Sequence, residues 1–144
     1  MDSIEQLIDD FELLGDWDAR YQYLVELGEG LPPMPEALKT EDNRVKACMS
    51  KVWISAYPDP EDPERIRFHG DCDTAIIKGV LALILQVASG RTIDEIEQFD
   101  FDRLFRRLAL AEHLSPNRHV GIYAIVDVLR QQARGLAQRA RRIG

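Results

Sequence analysis

A chain of 144 residues is long enough to bury one continuous core without disulfide or metal staples, so a single domain over 1–144 is expected. Hydrophobic residues at 45% and charged residues at 30% are the proportions of a folded globular protein and exclude a disordered one. The net charge of −7 argues against nucleic acid as a partner: the arginines from Arg130 onward have no interleaved aromatics, and their spacing fits a solvated helix end.

Along the chain, Ser3 with Gln6 has the form of a capping box, and Ile4, Leu7, Ile8, Phe11 and Leu14 recur at helical spacing until Gly15. Asp16 is placed to cap a second helix with Trp17, Tyr21, Leu24 and Leu27 on its apolar stripe, ending at Gly28. Pro32, Pro33 and Pro35 then leave room for at most one helical turn, near Glu36 to Leu38. From Arg44 the residues become β-branched and aromatic. Val45 marks a first strand, Val52 to Tyr57 a second and Arg65 to His69 a third, with a Pro and Asp rich turn at 58–63. The economical reading is an α+β fold with a small three-stranded antiparallel sheet flanked by helices.

Asp71 or Asp73 is expected to cap the next helix, whose body from Ile76 to Val87 is apolar on nearly every side and should be the central buried helix, ended by Gly90. Thr92 with Glu95 repeats the capping-box pattern, and one or two short helices fit Phe99 to Leu110. Ser115 caps and Pro116 opens a long last helix, with Val120, Tyr123, Ala124, Val128 and Leu129 inward.

The residues that can carry chemistry are few. Two cysteines stand 24 positions apart, which excludes a CxxC pair and a paired-thiolate metal site. The three histidines, His69, His113 and His119, lack ligand spacing, so no metal and no resident cofactor are expected. Residues 1–43 hold twelve acidic side chains against Arg20 and Lys39, whereas 44–57 hold Arg44, Lys46 and Lys51 and no acid. Cys48 therefore sits in a local positive island, at a sheet end or turn, where cations favour the reactive thiolate; the competing reading is a small buried hydrophobe. Cys72, between Asp71 and Asp73, has negative neighbours that raise a thiol pKa and is read mainly as structural. The Met1-Asp2-Ser3-Ile4-Glu5 start lacks the basic and apolar regions of a secretory signal, and no apolar stretch reaches the roughly 20 residues of a membrane span, so a cytoplasmic protein without membrane contact is expected.

Three stretches together resemble the SufE family of sulfur acceptors. They are Asn43-Arg44-Val45-Lys46-Ala47-Cys48-Met49-Ser50-Lys51-Val52-Trp53, Gly70-Asp71-Cys72-Asp73 with Ile76-Ile77-Lys78-Gly79, and Leu114-Ser115-Pro116-Asn117-Arg118 with Gly121. The resemblance runs from about Ser3 to Ala133 and implies a fold like that of the U-type iron–sulfur scaffolds. It implies a carrier rather than an enzyme, one that takes persulfide sulfur from a SufS-type cysteine desulfurase onto Cys48, stimulates that enzyme and delivers sulfur to a downstream iron–sulfur scaffold. Pyridoxal phosphate would belong to the desulfurase. Positioning or partner contact falls to Arg44, Lys51, Arg118 and Asp73, with Cys72 as a possible secondary thiol able to receive sulfur or form a disulfide. Ala47 stands where the family usually has glycine, Cys72 where it has serine, and Val120 where a small polar residue or asparagine is common. Two other readings use the same residues: an adaptor that binds the desulfurase with Cys48 inert, and a cluster scaffold, for which two cysteines fall short of the usual four ligands.

Overall fold

The apolar spacing of the first 29 residues yields a helical hairpin, α1 (Ser3–Leu13) and α2 (Trp17–Glu29). This is a computed structural model that describes residues 3–143. Gly15 turns the chain at φ +78°, a conformation that an L side chain resists, and the Asp16 carboxylate accepts from the Ala19 N–H to start α2. The side chain of Ser3, the expected first cap, lies outside the described residues; its backbone is already helical. Gly28 does not end α2, which runs to Glu29. It is buried inside the helix because a Cβ there would come within 2.9 Å of the Gly79 backbone nitrogen on a neighbouring helix.

The proline-rich connection contains one 3₁₀ turn, Glu36–Leu38, where it was expected. The sheet is three-stranded and antiparallel, but its strands differ from those read in the sequence. β1 (Val52–Pro58) pairs with β2 (Arg65–Cys72), with Val52 opposite Cys72 and Pro58 opposite Ile66; β2 pairs on its other side with the two-residue β3 (Arg91–Thr92). The strand expected around Val45 is instead a single bridge, Arg44 to Trp53, in which the Ile54 N–H donates to the Asn43 carbonyl and the Val45 N–H to the Val52 carbonyl. The chain leaves β1 at once because Val45 to Cys48 closes a turn, the Cys48 N–H donating to the Val45 carbonyl.

Helix α3 (Ala75–Ala88) is the expected central helix: nine of its fourteen residues are buried, as its nearly continuous apolar sequence requires. Its N-cap is Thr74 rather than Asp71 or Asp73, because β2 carries the chain through Cys72 before the helix can begin. Then follow α4 (Ile93–Gln98), opened by the Thr92–Glu95 capping box, α5 (Phe101–Arg107), α6 (Leu110–His113) and the long α7 (Pro116–Ile143), whose first turn is capped by the Ser115 hydroxyl accepting from the Arg118 N–H. Helix α3 packs on β2 and α2, and α7 on β1. Apolar burial between these layers, at about 25 cal/mol per Å², supplies the main force closing the fold. Asp71 ties them at the site end, contacting Lys39 at 2.8 Å and Lys78 at 3.4 Å. Burial opposes its ionisation, but the bonds from Lys39 and from the Cys72 N–H outweigh that and hold the carboxyl below the usual range.

Candidate functional site

The loop between the Arg44 bridge and β1 carries Cys48. Its two ends are fixed by the ladder, and its middle is fastened to the turn between β2 and α3. The Lys51 N–H donates to Asp73 Oδ1 at 3.0 Å, the Asp73 N–H donates back to the Lys51 carbonyl at 3.1 Å, and the Ser50 and Thr74 hydroxyls lie 2.6 Å apart. These contacts continue the β1–β2 register two steps past Val52 and Cys72. They hold the loop down, and Cys48 is only 7% exposed.

The sulfur faces α7 at Gly121, where an added Cβ would lie 2.8 Å from Cys48 Sγ. Cys48 also lines a cavity of about 300 Å³. Cys48, Met49 and Ser50 of the loop, Asp73 and Thr74 of the turn, Ile77 of α3, and Ser115, Asn117 and Arg118 at the start of α7 line it. Four separate segments thus converge on one thiol.

Of the residues singled out in the sequence, Cys48, Asp73 and Arg118 meet at this cavity. Lys51 contributes through its backbone while its side chain is exposed, and Lys46 is exposed as well. Arg44 does not line the cavity: it is half-buried, contacts Glu41 at 3.5 Å and bridges to Trp53. Ala47 has no positive φ, so the loop at rest does not require glycine there. Met49, Ser50 and Ile77 stand within the stretches that carry the family resemblance, but they and Thr74 gain a role of their own only where the fold brings them to the thiol.

Cys72 is 6% exposed and, like Cys48, a free thiol. Its sulfur accepts from the Thr74 N–H at 3.4 Å, and it lines a second cavity with Gly28, Glu29 and Lys78. Burial is the main cause that pushes this thiol up to about 11; the Thr74 N–H opposes the shift, and charge on Cys48, Asp73 and Asp71 adds to it. The acidic neighbours conspicuous in the sequence are the lesser cause. A thiol in that state is a poor nucleophile near neutral pH. Among the described residues no group of three or more His, Cys, Asp or Glu side chains is placed to hold a metal ion, and no helix is long and apolar enough to cross a membrane.

A small antiparallel sheet packed with helices around one loop-borne thiol defines the class, and the fold has a known counterpart. It superimposes with a TM-score of 0.75 on the solution structure of a hypothetical protein from Thermus thermophilus, covering 94% of this chain and 96% of that one at 21% identity. Residues 5–133 match the SufE family, the Fe-S metabolism associated domain. The chain is 39% identical over 137 residues to an uncharacterized SufE-like protein of Rhizobium meliloti (strain 1021), covering 94% of this chain and 97% of that one. A second uncharacterized SufE-like protein, from Rhizobium etli, is 39% identical over 136 residues, covering 93% of this chain and 91% of its own. The chain belongs to the SufE family and so to iron–sulfur metabolism.

Proposed function

We propose that this protein accepts sulfane sulfur as a persulfide on Cys48 from a SufS-type cysteine desulfurase, stimulates that enzyme by clearing it, and passes the sulfur to an iron–sulfur scaffold. The observation that carries the reading is the placement of Cys48: one thiol, sheltered under a fastened loop, facing a cavity edged by Arg118, in a chain of a family associated with iron–sulfur metabolism.

In the transfer step the Cys48 thiolate attacks the outer sulfur of the donor persulfide. The donor's sulfur–sulfur bond breaks, its cysteine leaves as thiolate with the bonding pair, and a new sulfur–sulfur bond forms on Cys48, with no net oxidation. The lack of a side chain at Gly121 and the adjoining cavity leave space for the added sulfur. Arg118 at the cavity edge stabilises the anionic persulfide, and burial keeps it from stray thiols. Because Cys48 is buried at rest, transfer requires the loop to lift off Asp73 and Thr74. Each such hydrogen bond contributes about 1 kcal/mol net, so a docking partner has ample binding energy to open it. Pyridoxal phosphate belongs to the donor in this scheme, and the protein is a carrier and activator.

The test is desulfurase turnover in the presence of wild type or Cys48→Ser. Wild type is expected to raise sulfide release several-fold and Cys48→Ser to leave it at the level of the desulfurase alone. Full stimulation by Cys48→Ser would replace the carrier with an adaptor.

A further inference from the structure

Large apolar side chains left in water on a folded monomer mark contact surfaces when they cluster beside a functional group. Two such side chains flank the Cys48 cavity. Met49, next to the thiol and lining the cavity, is 81% exposed, and Val120, next to the Gly121 that touches Cys48, is 60% exposed rather than inward on α7 as its spacing predicts. On helix α7, Asn117 lines the cavity and Val120 follows it by three residues, which puts Val120 on the same face one turn on. The rim is basic: Lys46, Lys51 and Arg118 are exposed and take part in no ion pair among the described residues. The chain elsewhere exposes Leu13 and Leu14, but beside Glu12, Asp16 and Asp18. A basic apolar patch on a protein of net charge −7 selects a particular partner surface.

Resting on the carrier reading above, we propose that Met49 and Val120 are the apolar anchors that seat the persulfide donor over Cys48, and that the donor presents an apolar socket edged by carboxylates. Pairing of this face with its own copy is disfavoured, since a two-fold contact sets Lys46, Lys51 and Arg118 against their equivalents.

The experiment measures the rate of persulfide formation on Cys48 against carrier concentration, using a cysteine desulfurase with wild type and the double variant Met49→Gln/Val120→Gln. Both sites are exposed, so folding is not at risk, and an unchanged rate of Cys48 alkylation by iodoacetamide verifies the loop. The expected result is a half-saturating concentration raised about tenfold or more, with the maximal rate retained. Saturation of the double variant at the wild-type concentration overturns the proposal. So does a concentration-dependent wild-type dimer that the substitutions dissolve, or a defect confined to onward transfer. If wild type itself takes no sulfur from an active desulfurase, the carrier reading has failed rather than the anchor assignment alone, and the proposal falls with it.

Discussion

Gly121 of α7 lies against Cys48 so closely that one added methyl carbon would stand 2.8 Å from the sulfur and 3.4 Å from its Cβ. A helix-interior glycine ordinarily costs about 1 kcal/mol relative to alanine, so its presence here reflects the thiol and not the helix. Gly121→Ala should push the Cys48 loop outward. Alkylation of Cys48 at neutral pH should speed up several-fold, while the midpoint of thermal unfolding moves by only a few degrees because the gain in helix propensity offsets part of the clash. An unchanged alkylation rate would mean the loop absorbs the methyl without opening.

The pairing of α2 with α3 depends on two other glycines. A Cβ on Gly79 would lie 2.0 Å from the Leu24 carbonyl oxygen, which is backbone and cannot turn aside. Gly79→Ala must separate the helices and should lower stability by about 3 kcal/mol or more, read as a fall in the urea midpoint. Gly135, also helical, meets nothing nearer than Arg139 Nη1 at 3.5 Å, and Gly135→Ala should raise stability by about 0.5–1 kcal/mol. Equal effects from the two substitutions would refute the packing argument.

Strand β1 has an outer edge that the sheet does not cover. Asn43 and Val45 pair with its first half, and the Gln132 side chain of α7 with its second, accepting from the Ala56 N–H at 2.8 Å and donating to the Ile54 carbonyl at 2.7 Å. One amide here substitutes for a fourth strand. Gln132→Ala strands both half-buried backbone groups and should cost about 1–3 kcal/mol in urea unfolding with little change in slope. Faster exchange of the Ala56 amide with deuterium would locate the loss.

The elevated Cys72 thiol carries a pH signature. The folded chain keeps its proton up to about 11, whereas the unfolded chain releases it near 9.0, so the native state binds more protons between those values. Its contribution is fully present below about pH 9 and is lost as pH rises toward 11, by roughly 2–3 kcal/mol for a shift of about two units. Tyr23, raised by burial and then by Asp10, acts in the same direction, so the quantity to follow is wild type minus Cys72→Ser. That difference should decline across the interval. A flat difference would put the Cys72 sulfur in contact with water.

Helix periodicity carried most of the architecture into the sequence: the α1–α2 hairpin, the apolar α3, the Thr92–Glu95 box and the Ser115–Pro116 start of α7 are all local signals. What was not legible depends on partners distant in the chain. Arg91–Thr92 is too short to show alternation and is a strand only because β2 passes beside it. Val45 has strand-like neighbours, yet the turn to Cys48 ends its pairing after one bridge. Gly28 looks like a helix stop until Gly79 arrives against it. At the site, Cys48 stood out through its cations and the family resemblance, but Ser50, Thr74 and Ile77 acquire meaning only where the loop, the β2–α3 turn and α7 meet.

The central claim is that Cys48 is the sulfur acceptor, and intact-protein mass spectrometry after incubation with a cysteine desulfurase and free cysteine tests it most directly. Wild type and Cys72→Ser should each gain the mass of one sulfur atom, removable by reductant, and Cys48→Ser should gain none. An adduct retained by Cys48→Ser, or absent from all three proteins beside an active desulfurase, would contradict the account.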